Sequence, residues 1–142
     1  LILYLDTSAL IKLVVPERGS DLAATLWEGA DPAATTILSY AEGRAALAGA
    51  HRSGRIREAS YRDSLDRFEL LHEELVSVGV DDRLARAAGE HAEVHGLRGY
   101  DAIHLATALE LGDEEAVLVT WDRDLARAAA AAGLAVAGAE PS

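Results

Sequence analysis

A chain of 142 residues is the size of one domain and can bury a full core without disulfides or a structural metal. It contains no cysteine, which excludes a disulfide framework, a thiol nucleophile and a thiolate metal site, and suits a reducing cytosol. Against 24 acids stand 13 Lys plus Arg, a formal net charge of -11, which counts against nonspecific nucleic-acid binding through a broad basic surface.

The chain opens on an apolar run, Leu1 to Leu5, that stops at Asp6, Thr7 and Ser8 and resumes as a helical pattern. Asp6 and Lys12 interrupt the run and no small-residue cleavage pattern follows, so it is read neither as a signal segment nor as a membrane span, and the protein is expected to be soluble and cytoplasmic. Strands are predicted near 2–6, 35–38, 75–78, 117–120 and 134–137. Helices are predicted over 8–15, 20–29, 39–52, 55–74, 82–95, 100–111 and 123–132, with Gly54, Gly79, Gly96, Gly112 and Gly133 as stops or turns. This alternation predicts an α/β three-layer sandwich with a central, mainly parallel five-stranded sheet flanked by helices. One domain is expected over 1–137, with 138–142 as a loose C-terminal tail. The alanines from Ala128 to Ala132 favour a slim helix packed closely on the sheet.

Four acids stand at starts of predicted helices: Asp6, Glu42, Asp101 and Asp122. Each has a purely structural explanation. Ser39-Tyr40-Ala41-Glu42 fits a capping box in which Ser39 caps the helix and Glu42 reaches back. Asp6 and Asp122 suit N-caps, and Asp101 suits the positive end of a helix dipole. Their joint placement adds something, because parallel strands deliver their following loops to one edge, where Asp6, Glu42 and Asp122 would meet. Convergent carboxylates repel unless a cation joins them, and hard oxygen donors select Mg²⁺ or Mn²⁺. Such a metal suits phosphodiester hydrolysis, with Thr7, Ser8 and Thr120 as hydroxyls able to orient the carboxylates.

Leu-Asp-Thr-Ser-Ala-Leu at 5–10, Ser-Tyr-Ala-Glu at 39–42, Gly-Tyr-Asp-Ala-Ile-His-Leu-Ala-Thr-Ala at 99–108 and Val-Thr-Trp-Asp-Arg-Asp-Leu at 119–125 together resemble a PIN-domain ribonuclease, most closely the VapC toxins of toxin–antitoxin pairs. The resemblance covers essentially the whole chain; the first and third motifs are specific in combination, the second is weak alone and the fourth intermediate. It implies a compact PIN fold, Mg²⁺ or Mn²⁺ dependence, endonucleolytic RNA cleavage, homodimerisation and inhibition by a small antitoxin. By position it implies Asp6, Glu42, Asp101 and Asp122 as the acidic constellation, with Asp6 and Asp101 foremost as direct metal ligands and Asp124 as substitute or helper for Asp122. The acidic balance is then compatible with RNA, since a local phosphate path suffices and metal supplies positive charge at the centre. It would also favour a shaped RNA target recognised in an unpaired region.

Tyr100 and Trp121 flank acids and are candidates for stacking on unpaired bases, against a simpler role at the rim of the core. Arg44 belongs to a central cluster with Arg52, Arg55, Arg57, Arg62 and Arg67, among which Glu58, Asp63, Asp66 and Glu69 are interleaved. That segment reads as a solvated helix face with paired charges, the alternative being an Arg-lined phosphate groove. His91 and His95 have i, i+4 spacing but lack companion ligands for zinc, so packing is the favoured role, as it is for His104. A haloacid-dehalogenase-like phosphatase would want a second acid where Ser8 stands, and a phosphoacceptor receiver would want a late lysine, whereas Lys12 is the sole lysine. The non-enzymatic alternative is a PIN-like RNA- or protein-binding module whose acids only cap helices or hold a structural cation.

Overall fold

The computed structural model describes residues 1–112 and 115–139. Its elements are β1 (Ile2–Leu5), α1 (Thr7–Val14), α2 (Ser20–Glu28), β2 (Ala33–Thr36), α3 (Leu38–Arg52), α4 (Glu58–Glu74), β3 (Val76–Val78), α5 (Asp82–His95), α6 (Gly99–Glu110), β4 (Ala116–Thr120), α7 (Arg123–Ala131) and β5 (Ala135–Gly138). The strands form one parallel sheet in the order β3-β2-β1-β4-β5. Side chains alternate across a strand, and β1 shows the consequence. Leu3 and Leu5 pack with Leu10, Leu47, Phe68 and Val119 beneath α1, α3 and α4, while Tyr4 packs on the other face with Leu105, Leu118 and Leu125 beneath α5, α6 and α7. The three-layer α/β sandwich with a central five-stranded sheet is therefore present. Among the described residues no helix is long and apolar enough to cross a membrane.

Several ends shift by a residue and α4 starts at Glu58 rather than at 55; two further differences have a clear physical cause. The strand expected at 35–38 lies at Ala33–Thr36, where all four residues are buried. The β-branched and apolar character of Ile37 and Leu38 suggested a later strand, yet Ile37 already has helical backbone angles and is half exposed. Small residues at Ala33 and Ala34 fit a strand covered on both faces, so burial overrides propensity here. The expected tail begins too early: Gly138 is the last residue of β5, paired with Thr120, and the amide of Ala139 donates to the Thr120 carbonyl at 2.7 Å. Its remaining positions, 140–142, lie outside the described residues.

The helices of the first layer approach closely at Gly43, in the middle of α3. A Cβ there would lie 2.2 Å from the Phe68 ring, which is fully buried on α4. Helix propensity alone predicts that Gly43→Ala stabilises the protein by about 1 kcal/mol. We predict the opposite sign, a loss of roughly 1–3 kcal/mol from overpacking, read as a lower urea midpoint at unchanged slope.

Candidate active site

From β1 the chain proceeds outward to β2 and β3, then crosses back to β4 on the other side of β1. In an open parallel sheet this reversal leaves a crevice at the carboxyl ends of the two diverging strands. Asp6 and Asp122 follow those two ends, beyond β1 and β4 respectively.

Asp6 is only 4% exposed. A carboxylate taken out of water needs donors, and three surround this one. Oδ1 accepts from the Ser8 hydroxyl at 2.6 Å and from the Ala9 amide at 3.0 Å, while Oδ2 accepts from the Thr120 hydroxyl at 2.5 Å. The Ala9 bond makes Asp6 the N-cap of α1. Burial pushes the Asp6 carboxyl above its ordinary value, against the opposing pull of His104 and these donors. Thr120 ties the two strand ends together, since its oxygen also accepts from the Asp122 amide at 2.9 Å. Asp122 caps α7 by accepting from the Leu125 amide at 2.9 Å.

Asp101 lies in the first turn of α6 and takes no capping role, for that helix has no side-chain cap. Burial, followed by the charge of Asp122, raises its pKa; Arg98 and His104 oppose the shift. The Arg98 guanidinium stands 3.5 Å from Asp101 and 3.9 Å from Asp122 while remaining 85% exposed. Ionic contacts so long and so wet contribute little, leaving the repulsion between the two acids largely uncompensated.

Glu42 departs from the expected capping box. The helix α3 begins at Leu38 with no side-chain cap, Ser39 is buried and bonds the Thr35 hydroxyl at 2.6 Å, and Glu42 turns into the crevice. Its Oε1 accepts from the Thr7 hydroxyl at 2.9 Å and pairs with His104 Nε2 at 2.9 Å. Burial pushes Glu42 up, but the His104 and Thr7 contacts outweigh it and hold the carboxyl below its ordinary value. The imidazole is itself oriented by Tyr4, whose hydroxyl lies 2.7 Å from Nδ1 and accepts from the Thr36 amide at 3.2 Å. With that amide occupying the phenol oxygen, the satisfied arrangement has Tyr4 donating to Nδ1 and Nε2–H donating to Glu42.

His104 is thus buried, as packing would have it, but also holds an acid in place. Tyr4 was not singled out from sequence, although a phenol within an aliphatic strand, whose hydroxyl needs a partner once buried, was a signal. Arg98 was missed as well; its position three residues before Asp101 at a helix start was the available clue.

Other candidates lie elsewhere. Asp124 is exposed on α7 and faces Arg127 at 3.4 Å. Arg44, two residues and about 200° of helix beyond Glu42, pairs with Glu69 at 2.7 Å and with the Tyr40 hydroxyl at 3.1 Å. Arg62 and Arg67 likewise pair within α4, with Glu58 and Asp63, as a solvated face would. His91 and His95 stack on each other along α5. Tyr100 is 61% exposed at the start of α6, and Trp121 lies half-buried in the β4–α7 turn, its amide donating to Ser8 Oγ at 3.0 Å and Lys12 above its ring.

Among the described residues no group of three or more His, Asp or Glu side chains stands prearranged around one metal position. The donor chemistry nevertheless fits a hard divalent cation: Mg²⁺ keeps several waters and takes one or two carboxylates with substrate oxygens, and Oδ2 of Asp6, which accepts only from Thr120, retains a lone pair where Oδ1 already accepts two hydrogen bonds.

A family model described as PIN domain matches residues 3–131. The chain belongs to the PIN domain family. The PIN match spans all four acids of the crevice. The chain is 42% identical over 139 residues to Ribonuclease VapC45 of Mycobacterium tuberculosis (strain CDC 1551 / Oshkosh), covering 98% of this chain and 96% of that one. Solved structures with the same PIN fold include a toxin–antitoxin complex from Klebsiella pneumoniae, at TM-score 0.64 and 23% identity over 89% of this chain and 91% of that one. PAE2754 from Pyrobaculum aerophilum superposes at TM-score 0.71 and 23% identity, over 96% of this chain and 90% of its own.

The raised Asp101 pKa fixes the sign of a stability effect. Above both pKa values an ionised Asp101 costs the folded state; as pH falls through the folded value, proton uptake relieves that cost, and below the unfolded value of 3.8 none remains. In the absence of metal, Asp101→Asn is therefore expected to melt higher than the parent at pH 7, the gap closing toward pH 3, as followed by circular dichroism. A lower melting temperature at pH 7 would mean that the carboxylate supports the helix start instead. For His104→Ala the expectation is a loss of roughly 2–4 kcal/mol, because Tyr4 and Glu42 lose their shared partner in a buried site; denaturant unfolding measures it.

Proposed function

We propose that this chain is a divalent-metal-dependent endoribonuclease, the toxin of a toxin–antitoxin pair. The observation that carries the reading is the convergence of Asp6, Glu42, Asp101 and Asp122 on one crevice through a chain of hydrogen bonds and charge contacts. Membership of the PIN family, a relative named as a VapC ribonuclease and a structural neighbour titled as a toxin–antitoxin complex support it. Asp6 and Asp101 would hold Mg²⁺ or Mn²⁺, with Asp122 beside them. When bound, the ion supplies Lewis acidity toward the phosphate and lowers the pKa of a coordinated water. The chain's own residues do the rest. Ser8 and Thr120 fix the rotation of the Asp6 carboxylate, and Thr120 couples it to the Asp122 turn. The Tyr4–His104 pair and Thr7 keep Glu42 ionised through Oε1, leaving Oε2 to accept a proton at neutral pH.

The proposed partners are RNA, a small cognate antitoxin and a second copy of the chain, within the cytoplasm. An apolar cleft between α5 and α6, lined by Leu38, Ala85, Ala88, Ala92, Tyr100 and Ile103, supports a protein contact beside the site. A second reading, a PIN-like module without catalysis, draws on one observation: Asp6 and Asp122 each already cap a helix.

Purified protein incubated with total cellular RNA and Mg²⁺ or Mn²⁺ is expected to give discrete new ends, mapped by sequencing, that vanish with chelator and in Asp101→Asn. Mn²⁺ is expected to raise the melting temperature of the parent protein and not of Asp101→Asn. Absence of new ends from folded, metal-bound, antitoxin-free protein would favour the binding module.

A further inference from the structure

Beside the acidic crevice lies a cleft of about 350 Å³ whose walls include Lys12, Arg18, Gly19, Trp121, Arg123 and Gly138. We propose that this cleft is a nucleotide subsite, which takes a phosphate and the unpaired base of an RNA strand next to the cut. The proposal rests on the ribonuclease reading for its substrate and on separate residues for its chemistry.

Three cations meet here in a chain of net charge -11, one of them its sole lysine. Elsewhere Arg44, Arg62, Arg67 and Arg86 pair with Glu69, Glu58, Asp63 and Asp82, as Lys12 in the cleft pairs with Glu17. Lys12 is held in the cleft rather than in solvent, its side chain 12% exposed. Its ammonium donates to Glu17 Oε1 at 3.0 Å and to the Arg18 carbonyl at 2.7 Å, which accounts for two of three N–H donors. It sits 5.0 Å from the centroid of the Trp121 ring.

The indole is seated in a built slot. A Cβ on Gly19 would fall 2.8 Å from Trp121 Nε1, and one on Gly138 would fall 3.2 Å from Cε3; both glycines have positive φ, so both positions favour a residue without a side chain. Gly19 is also the N-cap of α2, a helix end whose first turn carries Asp21 and whose Ser20 amide donates to the Glu17 carbonyl at 3.1 Å, so the positive charge of the cleft comes from its side chains. A flat π surface beside fixed positive charge suits a base joined to a phosphate. An acidic peptide would use the cations and gain little from the indole.

The cleft is joined to the acids by short links. The Trp121 amide donates to Ser8 Oγ at 3.0 Å, and Ser8 donates to Asp6. Lys12 stands six positions along the helix that Asp6 caps, a rise of roughly 9 Å. A strand with its scissile phosphate at Asp6 therefore reaches the cleft with a neighbouring nucleotide.

The test is fluorescence anisotropy of a labelled pentauridylate with 2′-O-methyl riboses, which resists cleavage, measured in chelator. Arg123→Gln, a change on the surface, and Trp121→Leu are each expected to weaken binding about tenfold, while Arg86→Gln on α5 binds as the parent does. In cleavage assays Arg123→Gln is expected to raise KM with kcat retained. Equal binding by parent, Arg123→Gln and Trp121→Leu, or no binding by the parent, overturns the subsite even if the parent cleaves RNA. The expected binding pattern in a protein that cleaves no RNA under Mg²⁺ or Mn²⁺ upholds the subsite and defeats the ribonuclease reading. Arg123-dependent binding of hexaglutamate without binding of the oligonucleotide assigns the cleft to an acidic peptide and overturns the proposal.

Discussion

The buried carboxylate of Asp6 constrains the rest of the site. It sits at the carboxyl end of the central strand, almost without solvent, and the low dielectric of that position makes an unsatisfied charge costly. Its three donors come from two separate parts of the chain: Ser8 and the Ala9 amide from the start of α1, and Thr120 from the end of β4. Satisfying one side chain therefore fixes the first helix against the fourth strand. The same Thr120 oxygen holds the amide of Asp122, so the requirement of Asp6 also sets the position of a second acid.

Glu42 is governed by a different balance. It is closer to solvent than Asp6, and its histidine and threonine contacts keep it charged, whereas burial drives Asp6 and Asp101 toward the protonated form. Two carboxyls that favour a proton and one that favours its charge make an asymmetric group. In the proposed reading a divalent cation at the first two would replace the proton that burial favours and leave the third as a base. Capping and cation binding are compatible here, because a cap uses one lone pair of a carboxylate oxygen and leaves others.

Much of this was legible in the sequence because it is one-dimensional. An apolar run ending in Asp6-Thr7-Ser8, and again in Thr120-Trp121-Asp122, marks two strand ends, and parallel topology brings such ends together. The hydroxyls beside the acids follow from the same local pattern. What stayed hidden depends on register and rotation across the fold. Whether Glu42 turns back to Ser39 or inward to His104 is decided by where α3 begins, and Ile37 misled that boundary by its β-branched side chain. Tyr4 and His104 are 100 residues apart and meet only through the packing of α6 on β1. For Arg44 the sequence favours a paired, solvated face over a phosphate groove, and the actual partner, Glu69 on another helix, is fixed only by the packing of α3 on α4.

The central claim is that these acids share a divalent cation, and proton release on binding tests it most directly. Mn²⁺ titrated calorimetrically near pH 5, in two buffers of different ionisation enthalpy, counts the protons displaced. Carboxyls whose pKa values are raised by burial, and in Asp101 also by the charge of Asp122, should release protons to the buffer as the ion binds, more so as the pH is lowered, and Asp101→Asn should release fewer and bind more weakly. Binding without proton release, unchanged in Asp101→Asn, would contradict the account and place the ion elsewhere.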